Sequence, residues 1–116
     1  MALLNLEGPT ITPIYGAVGN GASVTPGTND IKLVTEVGRV VLSYNGRSNN
    51  VNTWDFFFTT SQGNPGSGNL TEAGIFLIGS ATADSGYMLS HVVISEPKTT
   101  AETMTMEFIM TLTSGD

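Results

Sequence analysis

The sequence predicts an all-β fold, an antiparallel β-sandwich or jelly-roll-like barrel built as a single domain. Three observations carry this. Apolar and aromatic segments of strand length recur along the chain, separated by Gly, Pro, Asn and Ser clusters. Several alternate apolar and polar with period two. One, Ile75 to Ile78, is apolar throughout, which requires cover on both faces. The 116 residues suffice for one modest core.

A short N-terminal arm, residues 1–9, carries Leu3, Leu4 and Leu6 and breaks at Gly8-Pro9. It docks either on its own sheet or on a neighbour. The β domain follows over residues 10–116. Thr10 to Val18 reads as a strand whose Pro13 confines it to an edge or a strand start. Gly19-Asn20-Gly21 turns the chain. Its Gly-x-Gly pair lacks the six-residue spacing and the following helix that phosphate binding needs. Thr28-Asn29-Asp30 can cap a short helical turn over Ile31 to Val34.

Val40 to Tyr44 is β-branched and aromatic, and reads as a strand. Asn45-Gly46 then signals a hairpin or a longer loop through Asn50. Val51 to Thr60 is a strand with Trp54, Phe56 and Phe58 inward, so Phe57 falls on the polar face as an anomaly. Ser61 to Asn69 is a loop. Thr71 to Gly79 is the central strand, and Ser80 to Gly86 a turn. Tyr87 to Ile94 is a further strand, with His91 on the face of Tyr87, Leu89 and Val93. Thr103 to Thr113 closes the domain, with Met104, Met106, Phe108, Met110 and Leu112 inward and Ile109 an apolar exception outside. Five or six strands result.

Composition excludes several functions. Ten acids against four bases give a net charge of −6, which argues against binding nucleic acid or anionic membranes. No apolar run reaches the roughly 18 residues of a spanning helix. The start reads against a signal peptide, lacking a basic region and a long apolar run. Without cysteine, disulfides and thiolate metal sites are excluded. One His, no Asp-x-Asp series and no placed Ser/His/acid set leave no catalytic, cofactor or metal site to assign. The expectation is that the chain is not an enzyme. The polar set that stands out is Glu36, Arg39 and Glu72. In an extended segment Glu36 and Arg39 point oppositely, which would free Arg39 to pair with Glu72 ahead of the apolar run.

A resemblance emerges from ordered short motifs. Ala17-x-Gly19-x-Gly21, Pro26, Asp30, Leu33, Glu36 and Arg39 resemble the N-terminal half of small virion proteins of tailed bacteriophages. Thr71-Glu72-Ala73-Gly74-Ile75-Phe76 is similar to that family's (T/S)EAG(L/I)F strand. Met88-Leu89, a Lys98-Thr-Thr turn and a Thr-rich last strand extend the likeness over nearly all the chain from Thr10. The last strand lacks the family's frequent Thr-x-Thr-Trp. The resemblance implies a structural virion subunit without catalytic residues or cofactor. Such a subunit is a capsid decoration (cement) protein bound to the major capsid protein, or else a tail, baseplate or fibre-attachment piece. It would be made in the host cytoplasm and sit on the particle, with the capsid surface favoured.

With only 12% charged residues, the surface suits an assembly subunit, and a homo-oligomer, most simply a trimer, is expected. Leu3, Leu4, Leu6, Phe57 and Ile109 are the candidate interface. A reading from another class is a carbohydrate-binding module that stacks sugars on Trp54, Tyr44 or Tyr87. It requires one of these rings to be presented on a flat face.

Overall fold

The computed structural model describes residues 14–27, 29–48, 51–66 and 68–111. Leu3, Leu4, Leu6 and Leu112 lie outside them, as do the arm and the first residues of the Thr10 strand. Seven strands are present among the described residues: β1 (Ile14–Gly19), β2 (Glu36–Val41), β3 (Ser43–Ser48), β4 (Val51–Phe58), β5 (Leu70–Leu77), β6 (Tyr87–Glu96) and β7 (Met104–Thr111). They form two antiparallel sheets, ordered β2-β1-β5-β6 and β3-β4-β7, and the domain is a β-sandwich.

The single strand expected over Val40–Tyr44 is two strands. The chain changes sheets at Leu42, whose amide donates to the Ile14 carbonyl at 2.8 Å while its side chain enters the core. Asn45-Gly46 sits inside β3 rather than at a turn. The pairing with β4 slips one residue between Tyr44 and Gly46, so the pair makes a bulge instead of a hairpin tip. The helical turn expected over Ile31–Val34 does not form. Asp30 closes a turn back to the Gly27 carbonyl at 3.2 Å, and the backbone then runs through bends.

The core between the sheets holds Trp54, Phe56 and Phe58 from one layer and Val18, Ala73, Ile75 and Leu77 from the other. This matches the expected inward face of β4, and Met104, Met106, Phe108 and Met110 pack against it as expected of β7. The unbroken apolar run of β5 is explained by a second, smaller cluster on the outer face of the same sheet. There Phe76 and Ala17 meet Leu33 from the loop between β1 and β2, with Tyr15 and Met88 at its margin. That loop therefore lies across the outer face, and β5 is covered on both sides.

Trp54 is 2% exposed and lies between the rings of Tyr44 and Phe108, at 5.4 and 5.5 Å. Its native emission is expected to be blue-shifted and poorly quenched by acrylamide, moving to the red only on unfolding. Ready quenching in the native state would contradict this burial. On the side away from Leu42, between β6 and β7, a cleft of about 130 Å³ opens, lined by Phe56, Ile75, Val92, Met106 and Phe108.

Candidate functional site

The outer face of the four-stranded sheet gathers Glu36, Arg39, Glu72 and His91. Glu72 is 0% exposed. Each of its oxygens accepts two hydrogen bonds. Oε1 takes the Val34 amide at 2.8 Å and His91 Nε2 at 2.9 Å. Oε2 takes the Thr35 amide at 2.8 Å and the Gly21 amide at 3.2 Å. The other ring nitrogen, His91 Nδ1, faces Asp30 Oδ2 at 2.7 Å, and that same oxygen accepts the Gly27 amide at 2.8 Å. A carboxylate–imidazole–carboxylate chain thus fastens the β1–β2 loop at its middle and its end.

The Gly-x-Gly pair has a role here. A Cβ on Gly19 would stand 2.6 Å from Glu72 Oε2, and one on Gly21 would stand 2.8 Å from it. The two glycines admit an anion closely, and the anion is the chain's own carboxylate.

Burial by itself would push the Glu72 carboxyl up. The amides of Thr35 and Val34, the His91 ring and the Gly21 amide together outweigh it and hold the group below the usual carboxylate range. Asp30 is also held low, first by the Gly27 amide and then by His91.

The expected Arg39–Glu72 pair is absent. Arg39 instead makes a two-pronged pair with Glu36, Nε to Oε2 at 2.7 Å and Nη2 to Oε1 at 2.8 Å, with both side chains almost fully buried. Its remaining Nη1 donates to the carbonyls of Ser80 and Ser85 and to Ser85 Oγ, at 3.2, 3.0 and 3.1 Å. The guanidinium lies 4.6 Å from the centre of the Phe76 ring. Glu36 Oε1 also accepts the Asp84 amide at 3.1 Å. This second cluster ties the β5–β6 loop to the same face.

Bulges explain both departures. Gly19 pairs with Glu36 while Val18 pairs with Gly38, so Val37 is an extra residue and Glu36 turns to the face of Arg39. Phe76 pairs with Met88 while Ile75 pairs with Ser90, so Leu89 is extra and His91 turns outward, away from the expected Leu89 face. A third irregularity, between Leu70 and Glu72, lets Leu70 enter the core while Glu72 faces out. The first two each re-aim one charged side chain, and the third re-aims Leu70.

Arg39→Lys is expected to cost about 1–3 kcal/mol, because one ammonium cannot reproduce the fork to Glu36 and also serve the loop carbonyls. The urea midpoint checks it, and an unchanged midpoint would show the fork to be dispensable.

A further tether escaped the sequence reading. Lys98 is 4% exposed, and its Nζ donates to the Thr59 carbonyl at 3.0 Å and to Asn64 Oδ1 at 2.7 Å. It joins the β4–β5 loop to the β6–β7 loop. Among the described residues no buried side-chain nitrogen or oxygen lacks a hydrogen-bond partner.

Each of these clusters fastens a loop to the sandwich. Proton-transfer catalysis needs one ring nitrogen turned toward a nucleophile or substrate, and both nitrogens of His91 face acids behind a side chain 5% exposed. No group of three or more His, Asp or Glu among the described residues is placed to hold a metal ion. Of the candidate interface residues, Phe57 and Ile109 are 49% and 54% exposed on the outer face of the three-stranded sheet. Between them Asp55 stands opposite Glu107.

Compared with protein-family models, curated proteins and solved structures, the chain matches none.

Proposed function

We propose that this chain is a structural subunit of a tailed-bacteriophage virion, in first place a decoration protein that binds the major capsid protein and stabilises the head. The observation that carries the reading is how the chain deploys its side chains. Buried Glu36, Arg39, Glu72, His91 and Lys98 all serve to strap loops onto the sandwich. Meanwhile Phe57, Val92, Val93, Tyr87 and Ile109 are left at the surface. A rigid body with apolar contacts outside and its buried charges spent on its own loops suits holding a neighbour. The motif resemblance supplies the phage setting, and this reading is of a non-enzymatic protein without cofactor.

The test is to add purified protein to undecorated heads and follow binding and rupture temperature. Binding with a raised rupture temperature is expected. Neither effect would reject the decoration role, and antibody labelling of the tail or baseplate would move the subunit there. The sugar-binding alternative loses Trp54, which is buried, and keeps Tyr87 and Tyr44, 71% and 45% exposed, the latter packed against Trp54.

A further inference from the structure

We propose that the gap between β6 and β7 seats an extended segment of another protein, which adds to the outer side of β7 with apolar side chains turned into the cleft and a lysine or arginine beside Glu107. This rests on the assembly reading and names the chemistry of the partner.

Among the described strands none pairs with the outer side of β7. Its other side pairs with β4 in unbroken register over all eight residues, without a bulge. The strand contains no proline and a single charge, Glu107. A straight, mostly uncharged edge of this kind is a template for one more strand. Side chains directly opposite each other on neighbouring strands share a face. In an added strand, the residues opposite Met106 and Phe108 therefore point between the sheets. The residue between those two stands beside Glu107 on the outer face.

Both faces suit such a guest. Inside is the cleft of about 130 Å³, lined by Phe56, Ile75, Val92, Met106 and Phe108. Its size is comparable to the ~150 Å³ of an apolar cavity that takes up benzene, so it has room for one aliphatic side chain. Outside, Asp55 stands directly opposite Glu107. Phe57 lies two residues along β4 in one direction and Ile109 two residues along β7 in the other, 49% and 54% exposed. Like charges facing each other across a ladder repel. No ion pair among the described residues reaches either one. A cation supplied from outside relieves that repulsion, with Ile109 beside it to meet an aliphatic stem.

Charge complementarity selects the occupant. The chain carries a net charge of −6, and of its four bases Arg39 and Lys98 are buried in their own contacts. A second copy would add acid to an acidic seat. Residues 1–9 hold three leucines but no lysine or arginine to place beside Glu107. Glu107 thus bars the edge to the chain's own copies and addresses it to a basic partner.

The experiment uses the full chain and an acetylated, amidated nonapeptide that alternates valine and lysine, with calorimetry for affinity and methyl NMR for place. Binding is expected, with the Met106 methyl signal shifting and that of Met88, on the outer face of the other sheet, unmoved. Replacing the peptide's lysines by glutamate, or its valines by serine, should each weaken binding by about tenfold or more. Glu107→Lys should do the same with unchanged circular dichroism. Glu96→Lys, an equal change of net charge at the end of β6, should not. No binding, equal affinity for the glutamate or serine peptide, an unmoved Met106 signal, or equal losses from Glu107→Lys and Glu96→Lys would each overturn the proposal. So would binding that appears only after Met1 to Glu7 are deleted, which would make the arm the occupant. A wild-type dimer that the peptide dissociates would overturn it too, in favour of a second copy. Undecorated heads separate this seat from the decoration role. Attachment lost with Glu107→Lys is expected. Heads held equally by wild type and Glu107→Lys would keep that role and discard this seat, and a wild type that binds the peptide but not heads would do the reverse.

Discussion

Glu72→Gln is expected to destabilise the protein by about 3–5 kcal/mol, the scale for breaking a buried, hydrogen-bonded charge pair. For a domain of this size that corresponds to a fall in Tm of roughly 10–25 °C. The shape is conserved, so the effect isolates chemistry. Each carboxylate oxygen accepts two hydrogen bonds. Glutamine keeps one such oxygen and replaces the other with an NH2, which meets the Val34 amide when turned one way and the Thr35 and Gly21 amides when turned the other. Thermal denaturation followed by circular dichroism checks the value, and a fall of only a degree or two would show that the Glu72 carboxylate is dispensable for holding the loop.

The same substitution reports on pH. Glu72 and Asp30 are both held below their ordinary values when folded. Their stabilisation is therefore complete above the unfolded carboxylate range, about 4.3 for Glu, and is lost as the pH falls through the lowered folded values. The gap in stability between wild type and Glu72→Gln should be widest near neutrality and should narrow on acidification below pH ~4.

Phe58→Ala is expected to cost about 3–5 kcal/mol, as large-to-small changes at fully buried aromatics do. Phe58 is 0% exposed, stands edge-on to Phe56 at 5.8 Å, and carries Gly63 of the β4–β5 loop directly on its ring. Gly63 has φ 65°, where a larger residue would be strained, and a Cβ there would come within 2.9 Å of the ring. Removing the ring leaves a void beneath the loop that Lys98 secures from the other side. Its neighbour supplies the control. Phe57→Ala, on the exposed face, should stay within about 0.5 kcal/mol of wild type. Chemical denaturation of both variants measures the contrast, and comparable losses would mean that Phe57 is covered in the folded protein.

Those two adjacent phenylalanines show what the sequence makes plain. Period-two alternation sorted Trp54, Phe56 and Phe58 from Phe57, and Met106 and Phe108 from Ile109, because a regular strand has no choice in the matter. The run Ile75 to Leu77 announced cover on two faces, and the second cover is the loop carrying Leu33. Glu72 stood out as a carboxylate in apolar company. Its partners did not, for two reasons. Three of its four donors are backbone amides, which leave no side-chain signature in a sequence. The fourth, His91, lies past a bulge, and one extra residue reverses every later assignment of face. The same arithmetic misled the reading of Glu36 and Arg39, three apart yet on one side. Lys98 offered even less, since its acceptors are a carbonyl and an amide oxygen from a distant loop.

The crossing at Leu42 has a mechanical consequence. A single residue joins β2 of one layer to β3 of the other, and its amide is bonded to β1. Along that border the two layers cannot slide past each other; they can only pivot, as covers turn about a spine. Any breathing of the sandwich, whether from heat, pressure or a tug by a bound neighbour, is therefore concentrated at the opposite border, where the cleft between β6 and β7 already stands ajar.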